Sequence, residues 1–87
     1  MSNTEFLQSL KDYVEKTTEE FLNHYGQADK FSDIQEKADE ALKNIGVSEH
    51  FNAYTNGAID AVASGTGQSE DEIREAFRKY YYSGKFE

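Results

Sequence analysis

Two histidines, His24 and His50, are the side chains of this sequence best suited to bind a metal or move a proton near neutral pH. Neither has the company such work needs. No second His or Cys stands at ligand spacing from either, and the chain has no Cys at all. Both therefore read as surface residues near helix ends. Ser, His and Asp all occur, but without a local signature such as G-x-S-x-G. Gly65-Thr66-Gly67 precedes a helix start, as a phosphate-binding loop would. Glu70, Asp71 and Glu72 at that same start would repel a phosphate. The stretch DKFSDIQEKADE carries acids like a calcium loop, yet Ser32 and Asp33 fall out of register and its sixth position is not Gly. The expectation is a non-enzymatic chain with no catalytic residue, no metal and no cofactor.

The remaining chemistry is that of carboxylates. Seventeen acids against nine Lys and Arg give a formal net charge of −8, which repels nucleic acid and anionic lipid and leaves a basic protein as the natural partner. At about 100° per residue, Glu5, Asp12, Glu15 and Glu19 fall within roughly 80° of one another, opposite the apolar face of the first helix. Asp33, Glu36 and Glu40 form a similar stripe on the second. Helical residues three or four apart stand about 5–6 Å apart at Cβ, so two stripes would set carboxylates in rows loosely comparable to backbone phosphates. Lys16, Lys37 and Lys43 follow Asp12, Asp33 and Asp39 by four residues each, and such pairs would make the same faces ordinary salt-bridged surface.

The elements that must carry these stripes are marked by caps and periodicity. There is no Pro to interrupt a helix. Ser2 with Glu5, Ser32 with Gln35, Ser48, and Ser69 with Glu72 are four helix starts. Gly26 and Gly46 are stops, and Gly46 suits a left-handed position from which Val47 packs back on Leu42. Ser64 to Gln68 reads as a loop. Core lines run through Phe6, Leu10, Val14, Thr17 and Phe21, through Ile34, Ala38, Ala41, Leu42 and Ile45, through Phe51, Tyr54, Thr55, Ala58, Ile59 and Val62, and through Ile73, Ala76, Phe77 and Tyr80. No stretch alternates as a strand would. The fold class is all-α, a compact bundle of four short helices forming one domain over residues 1–87. The absence of an apolar span and of cysteine points to a cytoplasmic protein.

Two features bear on self-association and admit a homodimer. Of the three consecutive tyrosines, Tyr80 faces the core, Tyr81 its border, and Tyr82 the opposite side. Tyr82 and Phe86 then either cover their own domain or mark a contact patch. The third helix carries Ala53, Gly57, Ala61 and Ser64 as a small-residue stripe on its outer face. Gly57 loses about 1 kcal/mol relative to Ala in a helix interior, so a close backbone approach should offset it. Packing as the central helix would supply that approach, and so would a dimer.

Size, acidity and helix count are similar to those of acyl carrier proteins, but the second helix opens Phe31-Ser32-Asp33-Ile34, without that family's Asp-Ser-Leu attachment motif. The stretch DIQEKADEALKNIGVSEHFNAYTNGAIDAVASGTG resembles the middle of small acidic phage anti-restriction proteins of the Ocr type, through Ala38-Asp39 on an acidic helix and an aromatic helix from Tyr54 to Ala63-Ser64. That resemblance covers about a third of the chain. It implies a helical DNA mimic that inhibits a host nucleic-acid-binding protein, although the chain ends in Arg78-Lys79 and Lys85 where that family is densely acidic.

Overall fold

In the computed structural model, which describes residues 3–86, the chain folds as four helices with no strand among the described residues. They are α1 (Asn3–His24), α2 (Phe31–Asn44), α3 (Val47–Thr66) and α4 (Glu70–Ser83), with a single 3-10 turn at Ala28–Lys30 ahead of α2. Gly26 ends α1 as expected. It is left-handed at φ 73°, the Gln27 N–H reaches the Leu22 carbonyl at 2.8 Å, and the Gly26 N–H reaches Asn23 at 3.2 Å. The Ser2 half of the first capping box lies outside the described residues.

Three helix ends differ from expectation. The second helix starts at Phe31 instead of Ser32, and no side chain caps it. The preceding 3-10 turn already supplies helical carbonyls, with the Phe31 N–H directed to Ala28. The third starts at Val47, one residue before Ser48. Here Gly46 both closes α2 and opens α3: its N–H donates to Ala41 at 2.9 Å and its carbonyl accepts from the His50 N–H at 3.1 Å. Its angles, φ 126° and ψ −171°, are extended and open to glycine, not the left-handed helical conformation of a Schellman end. The same helix continues through Ser64 to Thr66 and stops at left-handed Gly67, so the loop is shorter than Ser64–Gln68. Ser69 caps α4 as read, its Oγ accepting from the Glu72 N–H at 3.2 Å.

All four helices contribute to one core: Val14, Phe21 and Leu22, Ile34 and Ala38, Tyr54, Ala58, Ile59 and Val62, and Ile73, Phe77 and Tyr80. The third helix touches each of the others and is the central one. At Gly57 a side chain of α2 packs close against it. A Cβ built there would stand 3.0 Å from Ile34 Cγ1 and 3.1 Å from Cγ2. Two residues of the expected core lines are outside: Phe6 is 58% exposed and Ile45 71%. Each keeps the helical period but stands at an end of its helix. Conversely Thr18 and Leu22 are fully buried. They swing the apolar arc of α1 toward the side where Glu15 stands.

The tyrosine run divides as its spacing predicts. Tyr80 is buried, Tyr81 half-buried, and Tyr82 is 80% exposed. The tail past Gly84 folds back. The Phe86 ring stacks on Tyr80 at 4.0 Å between centroids and on His24 at 3.7 Å.

Candidate functional site

The acidic face is built on α1 and α2, and its geometry begins with a correction. Glu15 does not point away from the core. At about 100° per residue it lies only about 20° from the buried Leu22, and so it faces α2 and α3. Its Oε1 accepts from Gln35 Nε2 at 3.1 Å and its Oε2 from the Tyr54 hydroxyl at 3.4 Å. Glu15 is thus a brace between three helices. Asp39 stands near the same hydroxyl, and its Oδ1 is buried with no partner. Burial first, then the charges of Glu15 and Asp39, push the Tyr54 phenol well above the ordinary tyrosine range.

The other five predicted residues of the face, Asp12, Glu19, Asp33, Glu36 and Glu40, are exposed. The two stripes lie on separate helices, and Asp33 borders a cleft toward α3. Asp12 accepts from Gln8 Nε2 at 2.9 Å. The expected lysine partners do not engage them. Lys16 pairs instead with Glu20 at 3.9 Å, and among the described residues neither Lys37–Asp33 nor Lys43–Asp39 closes to ion-pair distance. A further ion pair, Arg78–Glu75 at 3.8 Å, is on α4. Exposed pairs of this kind contribute about 0–1 kcal/mol. A shallow cleft opens along α2 between Gln35, Glu36, Asp39, Glu40 and Lys43.

The residues considered for self-association are not gathered on one surface. Ala53, Gly57 and Ala61 are half-buried and border a cleft with Lys30, Asp33 and Ile34, so the small-residue stripe faces α2 within the same chain. Phe86 is half-buried in its stack, while Ser64 at the end of the stripe and Tyr82 on α4 are exposed.

Of the histidines, His24 is exposed as expected, but His50 is 2% exposed, which corrects its reading as a surface residue. The Gly46 link tucks the first turn of α3 inward, and His50 Nδ1 meets the Ala38 carbonyl at 2.8 Å. With Nδ1 carrying the proton for that carbonyl, Nε2 is the acceptor, and it has no partner. No group of three or more His, Asp and Glu among the described residues could hold a metal.

Two acidic features had no sequence signal beyond their charge. Tyr80 donates its hydroxyl to Glu20, and burial together with that carboxylate pushes the phenol up to about 12. Glu70 at the start of α4 lies against Asp60 of α3, which raises its carboxyl above the ordinary range. None of the helices is long and apolar enough to cross a membrane. Comparison with family models, with curated proteins and with solved structures finds no match to this chain.

Proposed function

We propose that the chain is a non-catalytic binding module that presents the outward carboxylates of α1 and α2 to a basic, nucleic-acid-binding surface of another protein. The observation that carries this reading is the state of those carboxylates. Asp12, Glu19, Asp33, Glu36 and Glu40 are exposed on two helices, and among the described residues no lysine closes on them within ion-pair distance. Uncompensated carboxylates project a field that reaches about 10 Å at 0.1 M salt, enough to steer a basic groove onto them. The likeness of the central stretch to phage anti-restriction proteins agrees with this reading and narrows the partner to a protein that otherwise grips DNA.

Competition tests it. A restriction enzyme holding fluorescent duplex DNA should release the duplex as the chain is added, and the concentration needed should rise steeply with salt. Asp33→Lys, Glu36→Lys and Glu40→Lys together add two charges each and move the net charge from −8 to about −2. All three residues are exposed, so helical content should persist while competition is lost. A chain that releases no duplex from any DNA-binding protein tried, or a triple variant that competes as well as the parent, refutes the proposal.

A further inference from the structure

The first half of α1, the end of α2 and the start of α3 enclose a groove of about 250 Å³. Its walls are apolar, formed by Leu7, Leu10, Val14, Leu42, Val47 and Phe51. Thr4, Gln8 and His50 complete the lining together with Lys11, the one formally charged residue in it. Gln8 is engaged by Asp12, and His50 turns its Nδ1 to the Ala38 carbonyl. Lys11 is half-buried, and among the described residues no carboxylate closes on it within ion-pair distance. Leu7 stands four residues before it and Val14 three after, so its stem shares their face of α1 and lies along the groove.

The acids of this region are turned elsewhere. Glu15, one turn beyond Lys11, directs its oxygens to Gln35 and Tyr54. Glu5 and Glu49 are exposed, and neither lines the groove. Each stands about 140–150° around its helix from the middle of the groove-facing arc. A half-buried ammonium without a counter-ion, set in an apolar wall, is half of a pair. The half it calls for is an anion whose own body is apolar. A net charge of −8 disfavours multiply charged anions, whereas a single carboxylate meets the least of that repulsion and brings a hydrocarbon to bury. A cavity of about 150 Å³ accepts benzene, so this one has room for about ten heavy atoms. We infer that the groove binds a small apolar monocarboxylate, its carboxylate on the Lys11 ammonium and its hydrocarbon against Leu7, Leu10, Val47 and Phe51. The site is separate from the acidic stripes and stands whether or not a basic partner binds them.

A methyl nuclear magnetic resonance titration of the intact chain with octanoate tests the inference, beside octan-1-ol, which has the same chain without the charge. Octanoate should shift the methyl signals of Leu7, Leu10, Val14, Leu42 and Val47, and octanol should bind about tenfold more weakly. Lys11→Met keeps an unbranched stem on the wall and removes the ammonium. It should weaken octanoate about tenfold, the loss of one charge-assisted hydrogen bond, and leave octanol unchanged. Lys16→Met makes the same change of charge at an exposed lysine outside the groove and should leave octanoate binding as in the parent. Val47→Glu puts a carboxylate in the groove and in the first turn of α3, where the helix dipole favours it. Octanoate binding should then be lost with helical circular dichroism unchanged. The inference is overturned by a parent whose groove methyls do not respond to octanoate, or by octanol binding as tightly as octanoate. It is equally overturned if Lys11→Met binds octanoate as the parent does, or if Lys16→Met weakens it as much as Lys11→Met.

Discussion

Replacing Gly57 by Ala sets two opposing effects against each other, and the structure says which should win. An alanine in a helix interior gains about 1 kcal/mol over glycine. The new Cβ would stand 3.0 Å from Ile34 Cγ1, 3.1 Å from Cγ2 and 3.4 Å from Cδ1. Three carbons inside or at the edge of van der Waals contact force α2 outward or Ile34 off its rotamer, and overpacking of this kind costs about 1–3 kcal/mol. The net expectation for Gly57→Ala is a loss of about 0–2 kcal/mol. The decisive measurement repeats it in an Ile34→Ala background, where Cγ1 and Cγ2 are gone. Ile34→Ala alone should cost about 2–3 kcal/mol, at the low end for a core truncation because the site lies at the edge of a surface cleft. In that background Gly57→Ala should stabilise by about 1 kcal/mol, since propensity acts unopposed. The coupling between the two sites is then about 1–3 kcal/mol, read by urea melts of the four proteins. In a domain of this size 1 kcal/mol moves Tm by about 4–8 °C, so the sign change is well within reach. If Gly57→Ala stabilises both backgrounds equally, Ile34 does not pack against α3 at Gly57.

The tail and the tyrosines give two further tests. Phe86→Ala removes the ring stacked on Tyr80 and His24 and should cost about 1–2 kcal/mol in a thermal melt, aromatic pairs contributing about 0.5–1.5 kcal/mol beyond their area. An unchanged melt would mean that the tail does not hold that position in solution. Tyr54, Tyr80 and Tyr81 all have raised pKa values, burial being the first cause in each. Above pH 10 the unfolded chain releases these protons and the folded chain keeps them, so stability present below about pH 10 declines as pH rises through 10 toward the folded values. Ultraviolet titration should find the late-ionising tyrosines losing their protons together with the helical signal. Six phenols ionising fully while the helices persist would contradict the burial of Tyr54 and Tyr80.

Much of this architecture could be read from the sequence where one local rule acts alone. Ser69 capping Glu72, left-handed Gly26, and the 100° arithmetic that sorts Tyr80, Tyr81 and Tyr82 all depend on a few adjacent residues. Expectation and structure part where two elements meet. Ser32 and Ser48 are good caps that are not used, because the 3-10 turn and Gly46 had already opened those helices. Phe6 and Ile45 keep the helical period yet stand exposed at helix ends, which no periodicity reveals. The acidic face was legible except for Glu15. Its inward turn depends on Leu22, whose burial rotates the core arc, and on Gln35 and Tyr54, which are distant in sequence. His50 gave no sign of burial, since only the backbone of α2 shows where its Nδ1 goes.

The double role of Gly46 has a consequence for the order in which the chain can assemble. Because one residue ends α2 and begins α3, the two helices are joined by a link too short to wander, and the Ala38–His50 contact closes a span of only 12 residues. The Tyr80–Glu20 contact that ties α4 to α1 closes one of 60. Loop-closure entropy grows as (3/2)RT ln n, so the longer closure is about 1.4 kcal/mol harder to make from an open chain. That difference, about tenfold in population, favours closing the α2–α3 hairpin before the contact between α1 and α4. The contact that ties α4 back to α1 then closes over a platform that a single glycine has already set.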